Sequence, residues 1–315
     1  MRKRLVRLLA WVVTAGLLIL LFRRIPFAQV VAAARGAASW TLPAALLSAV
    51  AIYLGDSFAI WKTFGWFLAP LSFADVLLVR GATYLLAAIN YNVGQGAIVY
   101  FVHRVARVPV IRGVATILFI MGVNVLALLF LATAGLAAAP AVPHAVLVLV
   151  LVAYAGLAVY VAVVAVRPRW LAARPVFEVL LNAGVGGHLR ALLVRLPHIA
   201  ALMVLQISML WAFGVRVPLV QAMAALPVVF LVAVLPISVQ GLGTTQATMI
   251  FFFSRYAAGA QAAQQAAVLT ASLVAQAVPL LFQAVLGVAC LRSRVGRALS
   301  ASAEEAQSPP SAVAP

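Results

Sequence analysis

The sequence predicts an all-α polytopic membrane protein, with about six spanning helices and two oppositely oriented re-entrant hairpins arranged as an inverted repeat. Three observations carry this reading. First, 66% of the 315 residues are hydrophobic and 9% are charged, with a mean hydropathy of +1.16. That leaves too few polar side chains to clothe a water-facing surface. Second, several apolar runs reach the roughly 20 residues a helix needs to cross a hydrocarbon core about 30 Å thick. Backbone groups in lipid must be paired within their own segment, so these runs are helices. Third, two otherwise apolar stretches are interrupted by Gly-x-Gly breaks at matched positions in the two halves of the chain.

The chain opens with the basic segment Met1 to Arg4, followed by the apolar run Leu5 to Phe22. This resembles a secretory signal, but Arg23 and Arg24 stand where cleavage would require small neutral residues, so an uncleaved signal anchor is expected. Further spans are expected at Trp40 to Trp61, Arg112 to Ala138, Ala145 to Val166, Leu196 to Val215 and Ala266 to Leu291. Together they form one transmembrane domain over residues 1–297, with halves 1–140 and 141–297. Residues 298–315 hold Glu304, Glu305 and prolines among small residues and read as a disordered cytoplasmic tail.

The net charge of +17 has a topological explanation. With a cytoplasmic N-terminus, alternation of the spans places Arg2, Lys3, Arg4, Arg7, Lys62, Arg104, Arg107, Arg112, Arg167, Arg169, Arg174, Arg190, Arg195, Arg292, Arg294 and Arg297 inside. Only Arg23, Arg24, Arg35, Arg216 and Arg255 fall outside, with Arg80 unassigned. This bias is the positive-inside rule, and it puts both termini in the cytoplasm. No basic domain separates from the spans, which argues against nucleic-acid binding. Frequent Ala and Arg, with Lys3 and Lys62 the only lysines, point to the cytoplasmic membrane of a GC-rich bacterium.

Phe73 to His103 and Val217 to Ser254 fail as simple spans, because counting either as one crossing spoils the charge bias. The first begins and ends beside cytoplasmic arginines; the second begins and ends at the outside arginines Arg216 and Arg255. Re-entrant hairpins from opposite faces satisfy both conditions. Their breaks are Asn90-Tyr91-Asn92-Val93-Gly94-Gln95-Gly96 and Pro236-Ile237-Ser238-Val239-Gln240-Gly241-Leu242-Gly243. An offset of 147 residues sets Gly94 on Gly241 and Gly96 on Gly243, and maps the first-half spans onto the second half with reversed polarity. In secondary transporters, substrate sites lie where such discontinuous helices meet near the midplane.

A break in a helix leaves N–H and C=O groups that are tolerable only in protein or a watery cavity. Asn90, Asn92 and Gln95 therefore have two readings, closing backbone bonds or contacting a polar headgroup. Thr244, Thr245, Gln246 and Thr248 follow Gly243 at an expected half-helix N-terminus, where free N–H groups favour an anion or a threonine simply caps the turn. Asp56, inside a span, is a functional candidate that either carries a proton or pairs with Arg80 or Lys62. Ser272, Gln276, Pro279 and Gln283 share one helical face, lining a pathway or joining helices. Arg104, Arg107 and Arg255 are topological anchors or receivers of anionic headgroups. The histidines His103, His144, His188 and His198 read as sitting in or beside loops on separate connections. No metal-ligand spacing, catalytic set or cofactor motif emerges, and the lone Cys290 excludes an internal disulfide.

Leu235 through Ala247, with its Pro-x-Ser-x-x-Gly-x-Gly turn, resembles the flippase-like transmembrane domain of the lysylphosphatidylglycerol synthase family. Asn90 through Arg104 is a looser first-half match. The resemblance implies the lipid-translocating part of such proteins, without their cytosolic aminoacyl-transferring domain. Many members carry an acidic residue and an arginine just after the first break, where this chain has Ala97, Ile98 and Val99. A charge-based mechanism therefore does not carry over at those positions. The expected function is translocation or binding of a lipid or lipid-linked headgroup. Asn90, Asn92, Gly94, Gln95, Gly96, Arg104, Gly241, Gly243, Thr244, Thr245, Gln246 and Arg255 would form the site, with Asp56, Gln276 and Gln283 on a pathway. The expected partners are membrane lipids. The alternative is a non-transporting scaffold for a separate glycosyltransferase or lipid-modifying enzyme of the envelope.

Overall fold

The computed structural model describes residues 19, 23, 25, 27–89, 91–137, 144–234, 238 and 241–292. Among these residues the secondary structure is entirely helical. In chain order the helices are α1 (Phe27–Arg35), α2 (Thr41–Phe67), α3 (Phe73–Ile89), α4 (Tyr91–Ala106), α5 (Val110–Ala137) and α6 (His144–Val166), then α7 (Arg169–Ala172), α8 (Glu178–Ala212), α9 (Leu219–Val234), α10 (Thr244–Phe253) and α11 (Gln261–Leu291). Short 3-10 turns at Pro175–Phe177 and Ser254–Tyr256 lead into α8 and out of α10. Four of the described helical stretches, Thr41–Phe67, Val110–Ala137, Pro175–Ala212 and Gln261–Leu291, are long and apolar enough to cross a membrane. Val150–Val166, within α6, and Leu219–Ala233 are shorter apolar stretches. The predicted first span, residues 5–22, and the tail at 298–315 lie outside the described residues, apart from Ile19.

Local chemistry sets the helix ends. Pro43 sits in the first turn of α2 and Pro218 just before α9, where a missing N–H costs nothing. The Pro109 carbonyl accepts from Arg112 and Gly113 and starts α5. Gly243, at φ +84°, stands immediately before α10, in a conformation that only glycine adopts freely.

Two expectations are corrected by the helices themselves. The span expected at Leu196 to Val215 begins instead at Glu178, because residues 178–195 continue the helix through a kink at Gly184 (φ 57°, ψ −175°). Arg190, Arg195, His188 and His198 therefore belong to α8 rather than to a loop, and Arg195, His188 and His198 are buried. Arg195 consequently leaves the set of cytoplasmic loop cations. In the first break, helix resumes at Tyr91, so Gly94, Gln95 and Gly96 lie in the first turns of α4 and not in the interruption. The two breaks differ in build: Gly241 and Gly243 both have positive φ, whereas their offset partners Gly94 and Gly96 are helical.

The central contact of the bundle is α2 against α8, and it is antiparallel. Ala212 accepts a backbone hydrogen bond from Ala38 N–H at 3.0 Å. Further along, His198 Nδ1 lies 3.1 Å from the Ile52 carbonyl, Arg195 bonds Asp56, and Phe67 packs on Gly187. As the residue number rises on one helix it falls on the other. Gly55 permits the close approach, since a Cβ there would lie 2.9 Å from the His198 Cα.

Two further helix pairs pack closely: α5 on α9, and α11 on α3. Small residues make both contacts close: Gly135 meets the Ala224 backbone, while Gly81 and Gly287 meet Cys290 and Leu85. Indoles tie the connections before α3 and α9, with Trp61 Nε1 donating to the Leu71 carbonyl at 2.9 Å and Trp211 Nε1 to that of Val217 at 3.1 Å.

Four apolar clusters form among the described residues, and two of them frame a polar level. One gathers Ile60, Phe64, Val76, Val79, Ile98, Val102 and Ile117 from α2, α3, α4 and α5. The other gathers Ala45, Ile52, Leu128, Ile199, Leu226, Met249 and Val268 from α2, α5 and α8 to α11. Along α2 the level between Ile52 and Ile60 belongs to neither core, and Asp56 occupies it.

Candidate functional site

Asp56 is buried between two arginines. Arg80 Nε, on α3, donates to Asp56 Oδ2 at 2.5 Å, and Arg195 Nη1, on α8, donates to Oδ1. The Arg195 Nε donates to Asn124 Oδ1 on α5 at 3.0 Å. The Arg80 guanidinium lies over the Tyr84 ring, 4.5 Å from its centroid, a cation–π placement. Four helices thus converge on one carboxylate.

On α5, Asn124 falls between Val123 of a third apolar cluster and Leu128 of the second core. On α8, Arg195 falls four residues before Ile199 of the second core. Asp56 is 3% exposed, Arg80 9% and Arg195 8%, so three ionic groups share an interior where an isolated charge would cost several kcal/mol or more. The arrangement carries two cations and one anion. The other described carboxylates are engaged elsewhere: Asp75 with Ser72, and Glu178 with Arg112 at 3.6 Å.

The described residues of the second break, Ser238 and Gly241 to Gly243, make polar contacts with the start of α10. The Gly243 N–H donates to Gln246 Oε1 at 2.7 Å, so the side chain folds back and caps α10. Gln246 Nε2 then donates to Gln276 Oε1 on α11 at 2.8 Å. Thr244 Oγ1 donates to the Gly241 carbonyl at 3.0 Å and lies 2.9 Å from Ser238 Oγ. Gln246 is fully buried, and both of its amide atoms are engaged. The Thr245 hydroxyl stands against Gly241, where a Cβ would meet it at 2.8 Å.

Other expected site residues are dispersed. Asn90 lies outside the described residues, and Asn92 lies in the first turn of α4. Gly94 is buried against Ala87, so it serves the closure of α3 on α4; Gly96 is exposed and faces open space. Gln95 and Gln283 are half-buried. Arg104 and Arg255 are exposed, and each bonds a neighbouring tyrosine, Tyr100 at 3.2 Å and Tyr256 at 2.9 Å. The structure therefore brings together Asp56 with Arg80, and Gln246 with Gln276. On the stripe of α11, Gln276 joins helices, and Ser272 bonds the Leu269 carbonyl of its own helix.

Arg195 and Asn124 are the members of the ion layer that sequence reasoning did not select. Arg195 looks like one more loop cation beside Arg190, and Asn124 is one amide in an apolar run. Nothing in the local pattern separates them from their neighbours; only the α2–α8 crossing does. Among the described residues no cluster of His, Cys, Asp and Glu is suited to holding a metal. No protein-family model, curated protein or solved structure matches the chain.

Proposed function

We propose that this is a flippase-like protein of the bacterial cytoplasmic membrane, which moves a lipid or lipid-linked polar headgroup between leaflets. In this reading, α3–α4 and α9–α10 are re-entrant hairpins entering from opposite faces, and the two halves form an inverted repeat. The observation that carries it is the antiparallel pairing of α2 with α8, helices equivalent under one sequence offset, with a buried ion layer between the two hairpin cores. Equivalent helices running in opposite directions are what two repeats of inverted polarity require. A polar layer at mid-bundle is where such repeats place their substrate.

The mechanism follows from the geometry. Arg80 belongs to a hairpin arm and Arg195 to the opposite half, and both hold Asp56. A rocking motion of one half against the other must break or exchange one of these bonds. A headgroup that replaces the lost partner makes the change of state favourable, and transport needs that differential affinity. Thr244, Thr245 and the α10 N-terminus, with Asn92 and Gln95, would line the approach from the two sides, and Arg104 and Arg255 would attract anionic headgroups at the surfaces. No catalytic, metal or cofactor chemistry enters this mechanism, and the partners are membrane lipids.

Reconstitution tests it. Vesicles containing the purified chain should move fluorescent phospholipid between leaflets faster than protein-free vesicles, and equal rates would count against the proposal.

A second reading has its own support in the Gln246–Gln276 bridge, which spends the polar groups of the second break on helix packing. That suits a scaffold for a glycosyltransferase or lipid-modifying enzyme. Substituting Asn92, Gln95 and Thr245 separates the two. Loss of function at normal membrane abundance favours a lipid pathway, and unchanged function favours the scaffold.

A further inference from the structure

We infer that α6 is a side gate over the seam between α5 and α8, latched by two tyrosine hydroxyls and opening laterally toward the Asp56 ion layer. This deepens the lipid-translocating reading and rests on it.

Packing singles the helix out. Among the described side chains of α6, a helix of 23 residues, only Val150 and Val164 are buried. Helix α5, of 28 residues, buries eleven. Leu151, Val152, Val159 and Val166 of α6 all face outward. An element with so few buried apolar contacts belongs to the low-stability end of a fold, from which moving parts are drawn.

Among the described residues, two side-chain hydrogen bonds tie α6 to the bundle. Tyr154 Oη donates to Thr133 Oγ1 on α5 at 2.8 Å. Tyr160 Oη lies 2.5 Å from His188 Nε2 on α8. His188 Nδ1 is 2.6 Å from the Gly184 carbonyl, which can only accept, so Nδ1 carries the hydrogen and Nε2 accepts from the tyrosine. The second latch therefore stands one turn past the kink of α8, and the Phe119 ring of α5 packs edge-on against the same imidazole, 4.8 Å between centroids. Just beyond this latch α6 ends at Val166. Arg167, at φ +49°, and Pro168 then break the helix and supply a pivot.

What lies at the seam gives the gate its use. Helix α6 runs across it from His188 and Phe119 at one end to Thr133 at the other. On α5, Asn124 falls between Phe119 and Thr133; on α8, Arg195 follows His188 by about two turns. The bond from Arg195 Nε to Asn124 Oδ1 closes the seam at that level. Asn124 is half-buried, whereas Arg195 and Asp56 behind it are buried. The part of α6 between the two latches includes Ala155, Gly156 and Ala158, small residues that put little bulk over this level. Releasing both hydroxyls and swinging α6 about its pivot opens the seam sideways, so that a headgroup reaches the ion layer while its tails stay in the bilayer.

The test uses the full-length chain in liposomes, in a Cys290→Ser background. Nitroxides at Val159→Cys on α6 and Leu193→Cys on α8, both exposed positions, report the separation of the two helices by double electron–electron resonance. Two separations are expected, with the longer in the minority. Combining Tyr154→Phe with Tyr160→Phe should raise the longer share roughly fivefold or more, the factor that one net hydrogen bond is worth. If that pair does not fold, Tyr160→Phe alone should raise it in the same direction.

Closing the gate is the converse arm. Thr133→Cys with Tyr154→Cys, joined by a short bis-methanethiosulfonate linker, should slow fluorescent-phospholipid movement to the rate of protein-free vesicles, and dithiothreitol should restore it. Singly substituted chains treated with the same linker should keep their rate. A tyrosine that only packs predicts a lower Tm and no change in separation. One separation unaltered by the phenylalanines, or unimpeded lipid movement in the linked chain, overturns the inference. A parent chain that shows both separations but moves no lipid would keep the gate and lose the transport.

Discussion

Asp56 and Arg195 stand 139 positions apart in the chain and are joined by a hydrogen bond inside the bundle. Each also holds a further partner, Arg80 and Asn124 respectively. The network therefore ties α2, α3, α5 and α8 at one level, between two of the apolar cores. Buried ionic networks offset their desolvation only when their members are paired and hydrogen-bonded, so the loss of one member falls on the rest.

Asp56→Ala should destabilise the protein by about 3–5 kcal/mol, because two guanidiniums then lose their shared carboxylate in the interior. Thermal unfolding in detergent measures this. Asp56→Ala combined with Arg195→Ala should cost less than the sum of the single changes, as expected for residues in direct contact. Strict additivity would mean that the pair contributes nothing as a pair.

Gly94 and Gly96 should behave oppositely despite standing two positions apart. A Cβ at Gly94 would lie 2.5 Å from that of Ala87 and 2.8 Å from the Ala87 Cα, so Gly94→Val must push α4 off α3. A Cβ at Gly96 meets nothing within 4 Å, and Gly96→Ala should be neutral or stabilising by up to about 1 kcal/mol through helix propensity. Expression and Tm of the two variants, side by side, check the claim.

At the second break, Gln246→Leu removes both the cap on Gly243 and the bridge to Gln276. A loss of about 1–3 kcal/mol is expected, since a buried N–H is left without its acceptor. Gln276→Leu should cost less, because the Gly243 cap survives. A double-mutant cycle on this pair gives the strength of the α10–α11 tie.

The proposed opposed hairpins have a topological consequence. In a Cys290→Ser background, Ser72→Cys before α3 should react with a membrane-impermeant maleimide only from the cytoplasmic face, and Arg216→Cys before α9 only from the other. Labelling of both from one face would remove the inverted arrangement and the transport mechanism with it.

The helical fold, the long apolar helices and the positions of the breaks were legible from composition, run length and glycine placement, because each such segment satisfies its own backbone hydrogen bonds. The turn before Thr244 was legible for the same reason: Gly241 and Gly243 announce backbone conformations that other residues avoid. The first break was legible only to within a few residues. Gly94 serves packing against Ala87 rather than a turn, and a glycine looks the same in sequence for either purpose.

The chain by itself determined that these apolar segments become helices, since a helix satisfies its own backbone hydrogen bonds without reference to any neighbour. Only the tertiary structure decided that Arg195 belongs with Asp56 and that Gln246 belongs with Gln276. Those pairings depend on the direction in which α2 crosses α8 and on how closely α10 approaches α11. Small residues spread over distant segments set that approach, and no local pattern of charge or hydropathy records it.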